Sequence, residues 1–481
     1  MNSTDFVTTE GVKSNGFSIA EYLQSYFPQL DGTHFEVFHL QSPSSEVESL
    51  YYNVGDLNDN ATQDTVVKAE HFIAVSCNKK IFFAIDILIY LLIKVANSNP
   101  SKSGNVCSEE VIVELERHLF ISKADTNGYC DIKLSTKNIT RGILNFLLDI
   151  EVQHYLKNVI RLRKNNYAGY DKNNFITKNT STKQALQILA QRLDNRKDLC
   201  PETASKVSPP FTTNYVLANG IQNKIMTKIS LFTRPEPQYL FSESSKNRNK
   251  HILSGDQLLH WWLSIIDSLL DNFETSGSFS GDNTIKAKVK IPGEDDSMIY
   301  KRYICKLKHR DIWEVGTIYG DKNDLSHMVI PLFPDDPKTR FIRSNIEEGR
   351  DGLKLKAFWN ELQGRQEFNL GIVVGVIGVS GLWKKKLSED TLTDYSIYIP
   401  PTKKKFKNLK RYVIGEEYDT AEGALDSYSN LSEYYRKLSL NPISIIGTYK
   451  YSAEKVYDGS SIVNPVVINN LNSLVVHRKK R

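Results

Sequence analysis

Disulfide and zinc chemistry have little to work with in this chain. Its five cysteines, Cys77, Cys107, Cys130, Cys200 and Cys305, are odd in number and far apart, with no Cys-x-x-Cys and no histidine spacing suited to zinc. That pattern points to a reducing compartment. The opening residues, MNSTDFVTTEGVK, hold no basic region followed by an apolar run, so no secretory signal is expected. The most apolar stretch, 81–96, is short for a membrane span and carries Asp86 and Lys94, which makes it a core element. Gly-x-x-x-x-Gly-Lys, His-Glu-x-x-His and Gly-x-Ser-x-Gly are all missing, so P-loop, zinc-protease and serine-hydrolase readings lose their warrant. Excess charge is missing too. The 61 Lys and Arg against 56 Asp and Glu leave a net +5, too little for a dedicated nucleic-acid binder.

What the chain does have is a globular composition, 40% hydrophobic and 10% aromatic over 481 residues, enough for a substantial core. Strand-like runs fall at 70–76 and 81–93 around a Cys-Asn-Lys-Lys turn, then at 118–123, 286–291, 299–306 and 370–379. Helix starts are marked by Ser18 with Glu21, Ser181 with Gln184, and Ser254 with Gln257. After Ser254 the residues Leu258, Leu259, Trp262, Ile265, Ile266, Leu269, Leu270 and Phe273 follow at helical spacing. Mixed elements with clustered strands predict an α+β fold, with a single central mixed, largely antiparallel sheet surrounded by helices. Between 157 and 206 there are eleven Lys and Arg against four Asp and Glu, which predicts a basic, partly disordered loop with one helix over 157–225. The expected organisation is an N-terminal extension with a first helix (1–64), a main domain (65–440) and a basic tail (441–481). The basic run 402–411 and the terminal His-Arg-Lys-Lys-Arg read as mobile segments and anionic-partner or nuclear-import patches, or as a solvated tail.

Two stretches carry chemistry. The first, FPDDPKTRF at 333–341, sets Asp335 and Asp336 between prolines, and follows the strand-like run 327–333. Pro337 holds Asp336 out of the helical region, so the pair sits on extended or turn-like chain, and on extended chain one acid faces inward and the other out. The second runs from 229 to 262, where an apolar strand ends at Thr233, Arg234 and Pro235. Tyr239 and Phe241 follow, then Lys246, Arg248 and Lys250, and then the capped helix. Cations beside a helix N-terminus make an anion site that a pyrophosphate would fit, and aromatics there could cover a base or an apolar arm. The bland alternative is a solvated loop. Trp261 and Trp262 lie about 100° apart on a helix, so at most one is central in the core. Three near-motifs fail: HRD at 309–311 lacks the kinase asparagine, GVIGVSG at 375–381 lacks dinucleotide spacing, and ADTNG at 124–128 lacks the remaining calcium ligands.

These blocks, with FISKADTNGYC (120–130), IPGED (291–295), FWNELQGRQEF (358–368) and GEEYDTAEGA (415–424), resemble the fungal histone acetyltransferases named as regulators of Ty transposition. The resemblance spans roughly 65 to 440. It implies a fold similar to the metazoan CREB-binding-protein acetyltransferase, and acetyl-CoA-dependent acetylation of histone H3 with no metal. The implied targets are a core lysine at the nucleosomal DNA entry point and tail lysines of newly made H3–H4. Implied partners are a nucleosome-assembly-type and an anti-silencing-type chaperone. A nuclear location is implied, without membrane attachment or sequence-specific nucleic-acid binding.

Acetyl transfer to lysine requires loss of an amine proton, stabilisation of an oxyanion and departure of a thiolate. Asp125, Asp335 and Asp336 match family positions implicated in activity. Asp336 is assigned to the substrate-lysine side or to the conformation around Lys338, with Asp335 as its electrostatic partner. Asp125 read alone is a plain Asx-turn. Tyr239 is a candidate for shaping the acetyl site or protonating the departing sulfur, or else a core tyrosine. Trp262 matches a family tryptophan near the acetyl group, and Ala124, Phe232, Arg234, Lys250, His251 and Trp261 are expected to line the cofactor channel. Lys338 matches a family lysine that becomes autoacetylated, and a lysine beside carboxylates near an apolar strand pays desolvation as a cation. The acids Glu294, Asp295, Asp296, Glu416, Glu417 and Asp419 could steer a basic histone, or be solvated helix starts and turns. The rival class is a non-enzymatic chromatin adaptor, which predicts no saturable acetyl-CoA binding.

Overall fold

The computed structural model describes residues 18–52, 65–95, 109–162, 182–183, 186, 212–218, 225–274, 285–365, 373–384 and 395–449. In chain order its strands are β1 (Phe35–Gln41), β2 (Ser45–Val47), β3 (Thr65–Cys77), β4 (Lys80–Val95), β5 (Glu109–Thr126), β6 (Val159–Ile160), β7 (Thr212–Leu217), β8 (Met226–Thr233), β9 (Lys286–Lys290), β10 (Trp313–Val315), β11 (Gly375–Leu382) and β12 (Ile443–Ile445). All join one sheet of mixed, largely antiparallel pairing. The β3–β4 turn works because Asn78 and Lys79 take positive φ. Strand β4 is buried almost end to end, as a central strand covered on both faces must be.

The helices are α1 (Ile19–Leu23), α2 (Thr136–Asp149), α3 (Val152–Leu156), α4 (Gly255–Leu269), α5 (Asp296–Ile299), α6 (Ser326–Val329), α7 (Pro337–Glu347), α8 (Leu355–Leu362), α9 (Lys403–Ile414) and α10 (Ala421–Lys437). One face of the sheet packs Ile85, Ile87 and Ile89 against α1, α2 and α4. The other packs Phe38, Phe72 and Ala84 against α9 and α10 through Phe406, Leu409, Val413 and Leu431. The expected α+β architecture is therefore present, as helices on both faces of a single sheet.

Several expectations are corrected. Residues 299–306 are not a strand: Asp295 caps α5 by accepting from Ser297 N, and a π-helical turn follows at Tyr300–Ile304. Residues 327–333 begin in the short helix α6 rather than a strand. The run 402–411 lies in α9, capped by Thr402, with Phe406, Leu409 and Val413 buried between its lysines. The boundaries at 64 and 440 do not bound the sheet, since β1 and β2 pair with β3 while β12 pairs with β1. Residues 159–160 and 212–217 of the expected basic loop are also strands of this sheet. The helix start at Ser181 with Gln184 and the terminal basic run lie outside the described residues.

Candidate active site

Strands β5 and β8 run parallel and hydrogen-bonded from Glu116 and Met226 to Ile121 and Leu231, where their ladder stops. Beyond that point β5 stays with β4 as far as Thr126, and β8 stays with β11 as far as Thr233. The parting opens a crevice at the carboxyl ends of two parallel strands, the place where such sheets offer a ligand site. Two cavities fill it. One, of about 640 Å³, is lined by Asp125, Lys250, His251 and Trp261. The other, of about 220 Å³, is lined by Phe232, Arg234, Asp335 and Asp336. Ala124, Glu236, Tyr239, Leu258 and Trp262 line both. A third cavity, of about 410 Å³ around Arg117 and Trp383, sits at the opposite end of β8 and holds none of the expected residues.

Asp125 fixes the crevice wall. Its Oδ2 accepts the backbone N–H groups of Tyr239 (2.7 Å), Leu240 (3.0 Å) and Phe241 (3.4 Å). Its Oδ1 accepts Thr126 N and Lys250 Nζ, each at 2.8 Å. The Asx-like contact to Thr126 is there, but the main work is to tie the chain after β8 onto the end of β5. Lys250 completes this buried ion pair, its side chain only 4% exposed, so its charge is spent inside the wall. Gly128, at φ +83°, lets Lys250 pass: a Cβ there would lie 2.6 Å from Lys250 N.

The start of α4 is less of an anion site than the sequence suggested. Ser254 and Gln257 form a reciprocal capping box, and Asp256 in the first turn already complements the helix dipole. Asp256 is itself held by Arg302 at 2.9 Å. Lys246 pairs with Glu243, and Arg248 is exposed. The two tryptophans divide as expected. Trp262 is in the core and lines both cavities, while Trp261 is half-buried against it, ring centroids 4.7 Å apart and nearly perpendicular.

The acidic pair separates. Asp336 faces inward and caps α7, Oδ1 accepting Lys338 N at 2.9 Å and Oδ2 accepting Lys338 Nζ at 2.5 Å. Both side chains of this pair are buried, and Lys338 Nζ also stands 5.2 Å from the centre of the Phe232 ring. Asp335, at φ +57°, is turned to solvent and pairs with Lys123 at 3.3 Å rather than with the Asp336–Lys338 couple. The tyrosine hydroxyl of Tyr239 donates to the carbonyl of Arg234, and burial pushes its pKa well up, so it stands neutral. Two features escaped the sequence reading. Glu236 lines both cavities, and its one sequence signal is the pair of prolines around it. Cys130, at the edge of the larger cavity, donates its thiol to the Ile132 carbonyl at 3.2 Å.

Residues 19–434 match the histone acetyltransferase KAT11-type domain, and the chain belongs to that family. It is similar to histone acetyltransferase RTT109 of Candida albicans, 28% identical over 317 residues that cover 65% of this chain and 74% of the relative. It is also similar to histone acetyltransferase rtt109 of Schizosaccharomyces pombe, 26% identical over 251 residues, 49% of this chain and 62% of that one. The crystal structure of Rtt109 from Aspergillus fumigatus shares the fold, with a TM-score of 0.57 at 19% identity, covering 90% of this chain and 100% of that one.

Proposed function

We propose that this histone acetyltransferase moves the acetyl group of acetyl-CoA to lysines of newly synthesised histone H3, at the core position by the nucleosomal DNA entry and in the tail, with histone chaperones stimulating it. The observation that carries the reading is the meeting of the two cavities at Ala124, Tyr239 and Trp262. A thioester entering from the larger cavity and an amine entering from the smaller would meet beside Trp262. The amide-bearing arm of acetyl-CoA suits the gap between β5 and β8, because an extended chain bearing amides can pair with strand edges there. Tyr239 shapes the junction rather than protonating the sulfur, since its hydroxyl already donates within its own loop. Asp336 acts on the conformation around Lys338 rather than on the substrate lysine. Lys338, a buried cation, is the residue in which self-acetylation would remove a charge.

The partners in this reading are H3–H4, a nucleosome-assembly-type chaperone and an anti-silencing-type chaperone, all met in the nucleus. Helix α9 offers exposed lysines to an acidic chaperone surface. The test is to incubate the full chain with acetyl-CoA and H3–H4, with and without a chaperone, and to map acetylated lysines by mass spectrometry. Chaperone-stimulated acetylation of H3 is expected, with saturable acetyl-CoA binding that Trp262→Ala abolishes. No acetylation of H3 or of Lys338 under any condition would return the adaptor reading.

A further inference from the structure

We propose that Glu236 is the carboxylate that receives the ammonium of the incoming lysine and relays its proton to the departing thiolate, a role that rests on the transferase reading above. Among the described residues, four carboxylates line the two cavities, and three are committed elsewhere. Asp125 is filled by four backbone N–H groups and Lys250. Asp336 is filled by Lys338, and Asp335 leans out to Lys123. Glu236 alone lines both cavities, at the junction where amine and thioester would meet. Its side chain is 35% exposed, so a ligand in either cavity can reach it.

The chain presents Glu236 rigidly. Pro235 and Pro237 flank it, fixing one φ on each side and holding Glu236 itself to extended backbone. Arg234 Nε stands 3.0 Å from Glu236 Oε1, which leaves the second oxygen for another cation. A lysine ammonium arriving from the smaller cavity would take that place. Glu236 accepts one proton from the ammonium, and the neutral amine attacks the thioester carbonyl carbon. As the carbon–sulfur bond breaks, the electron pair leaves on sulfur and Glu236 returns its proton there. The second proton lost by nitrogen goes to solvent, so the products are acetyl-lysine, CoA thiol and one released proton.

The experiment uses the full chain with H3–H4 and saturating acetyl-CoA, comparing wild type, Glu236→Gln and Glu236→Asp from about pH 6.5 to about pH 9.5. Positioned proton transfer is worth about 100-fold or more, so kcat of Glu236→Gln is expected to fall by roughly that factor near neutrality. The loss should shrink as pH rises and more lysine arrives uncharged, and Glu236→Asp should keep part of the rate. Acetyl-CoA affinity, measured by calorimetry, should change less than about twofold, since the ligand of the relay is the lysine. A Glu236→Gln variant with the wild-type rate and pH profile overturns the proposal. So does a rate loss matched by an equal loss of acetyl-CoA affinity, which would mean that Glu236 only holds Arg234. If the wild type itself leaves H3 unmodified, the transferase reading fails instead.

Discussion

Asp336 does two jobs with one carboxylate: it caps α7 by accepting the backbone N–H of Lys338, and it neutralises that residue's buried ammonium. Asparagine would keep the cap and lose the charge, leaving Lys338 buried as an uncompensated cation. Breaking such a pair costs about 3–5 kcal/mol. Asp336→Asn should therefore fall by that much in chemical denaturation, and combining it with Lys338→Met should recover most of the loss. A double variant no more stable than the single one would show that the charge is not the problem. The sequence made half of this visible. Pro337 keeps Asp336 out of the helical region, and Asp336 is extended and turned inward, but the pair is separated by a left-handed turn at Asp335 rather than by alternation along extended chain. Nor does the sequence say that the inward acid is used up by a lysine two residues on, because that contact depends on the helix start. Asp125 shows the same limit: its turn contact is local, but the N–H groups of Tyr239 to Phe241 reach it from over a hundred residues away in sequence.

At the scale of elements, long apolar runs around a turn and helices with a cap were legible, as β3, β4 and α4 show. Helix α9 was not, because its count of lysines masks the spacing of Phe406, Leu409 and Val413, which is helical and apolar. The spacing is decisive, since those three side chains fill the layer beneath β1 and β3. Phe406→Ala should cost about 3–5 kcal/mol by denaturation. A loss under about 1 kcal/mol would restore the reading of this run as a surface tail. The wall of the larger cavity makes a second test. Gly128→Ala adds a Cβ 2.6 Å from Lys250 N at a positive φ, so the segment 247–250 must move. Acetyl-CoA affinity measured by calorimetry should then drop by about tenfold or more, which takes only about 1.4 kcal/mol. Unchanged affinity would show that this wall does not touch the ligand.

The crevice is a property of the whole molecule, because β5 and β8 part while each stays with its other neighbour, β4 and β11, and no local window shows that divergence. A buried histidine group between sheet and helix is another such property, and it makes stability depend on pH. His39 Nε2 lies 2.9 Å from His71 Nδ1, His71 Nε2 lies 3.0 Å from the Tyr155 hydroxyl, and His154 Nε2 lies 2.8 Å from Gln41 Oε1. Burial pushes His39 down to about 3 and His154 down to about 4, and holds His71 well below the usual range. Charge repulsion adds to burial, from His154 on His39, from His39 and His154 on His71, and from Lys157 on His154. In the unfolded chain each titrates near 6.5. Between those values the unfolded state binds the extra protons, so stability is full above about pH 6.5 and falls as pH drops below it. The loss is about 1 kcal/mol per histidine between pH 7 and pH 5.5, or roughly 3–4 kcal/mol for the group. Denaturant midpoints measured across that interval should fall accordingly. His154→Gln, at the margin of the group, should remove about a third of the slope while leaving stability at pH 8 nearly unchanged, because glutamine can still donate to Gln41. A midpoint flat from pH 7 to pH 5.5 would mean that the group opens to water or finds an anion on protonation, and that the fold is not held shut around it.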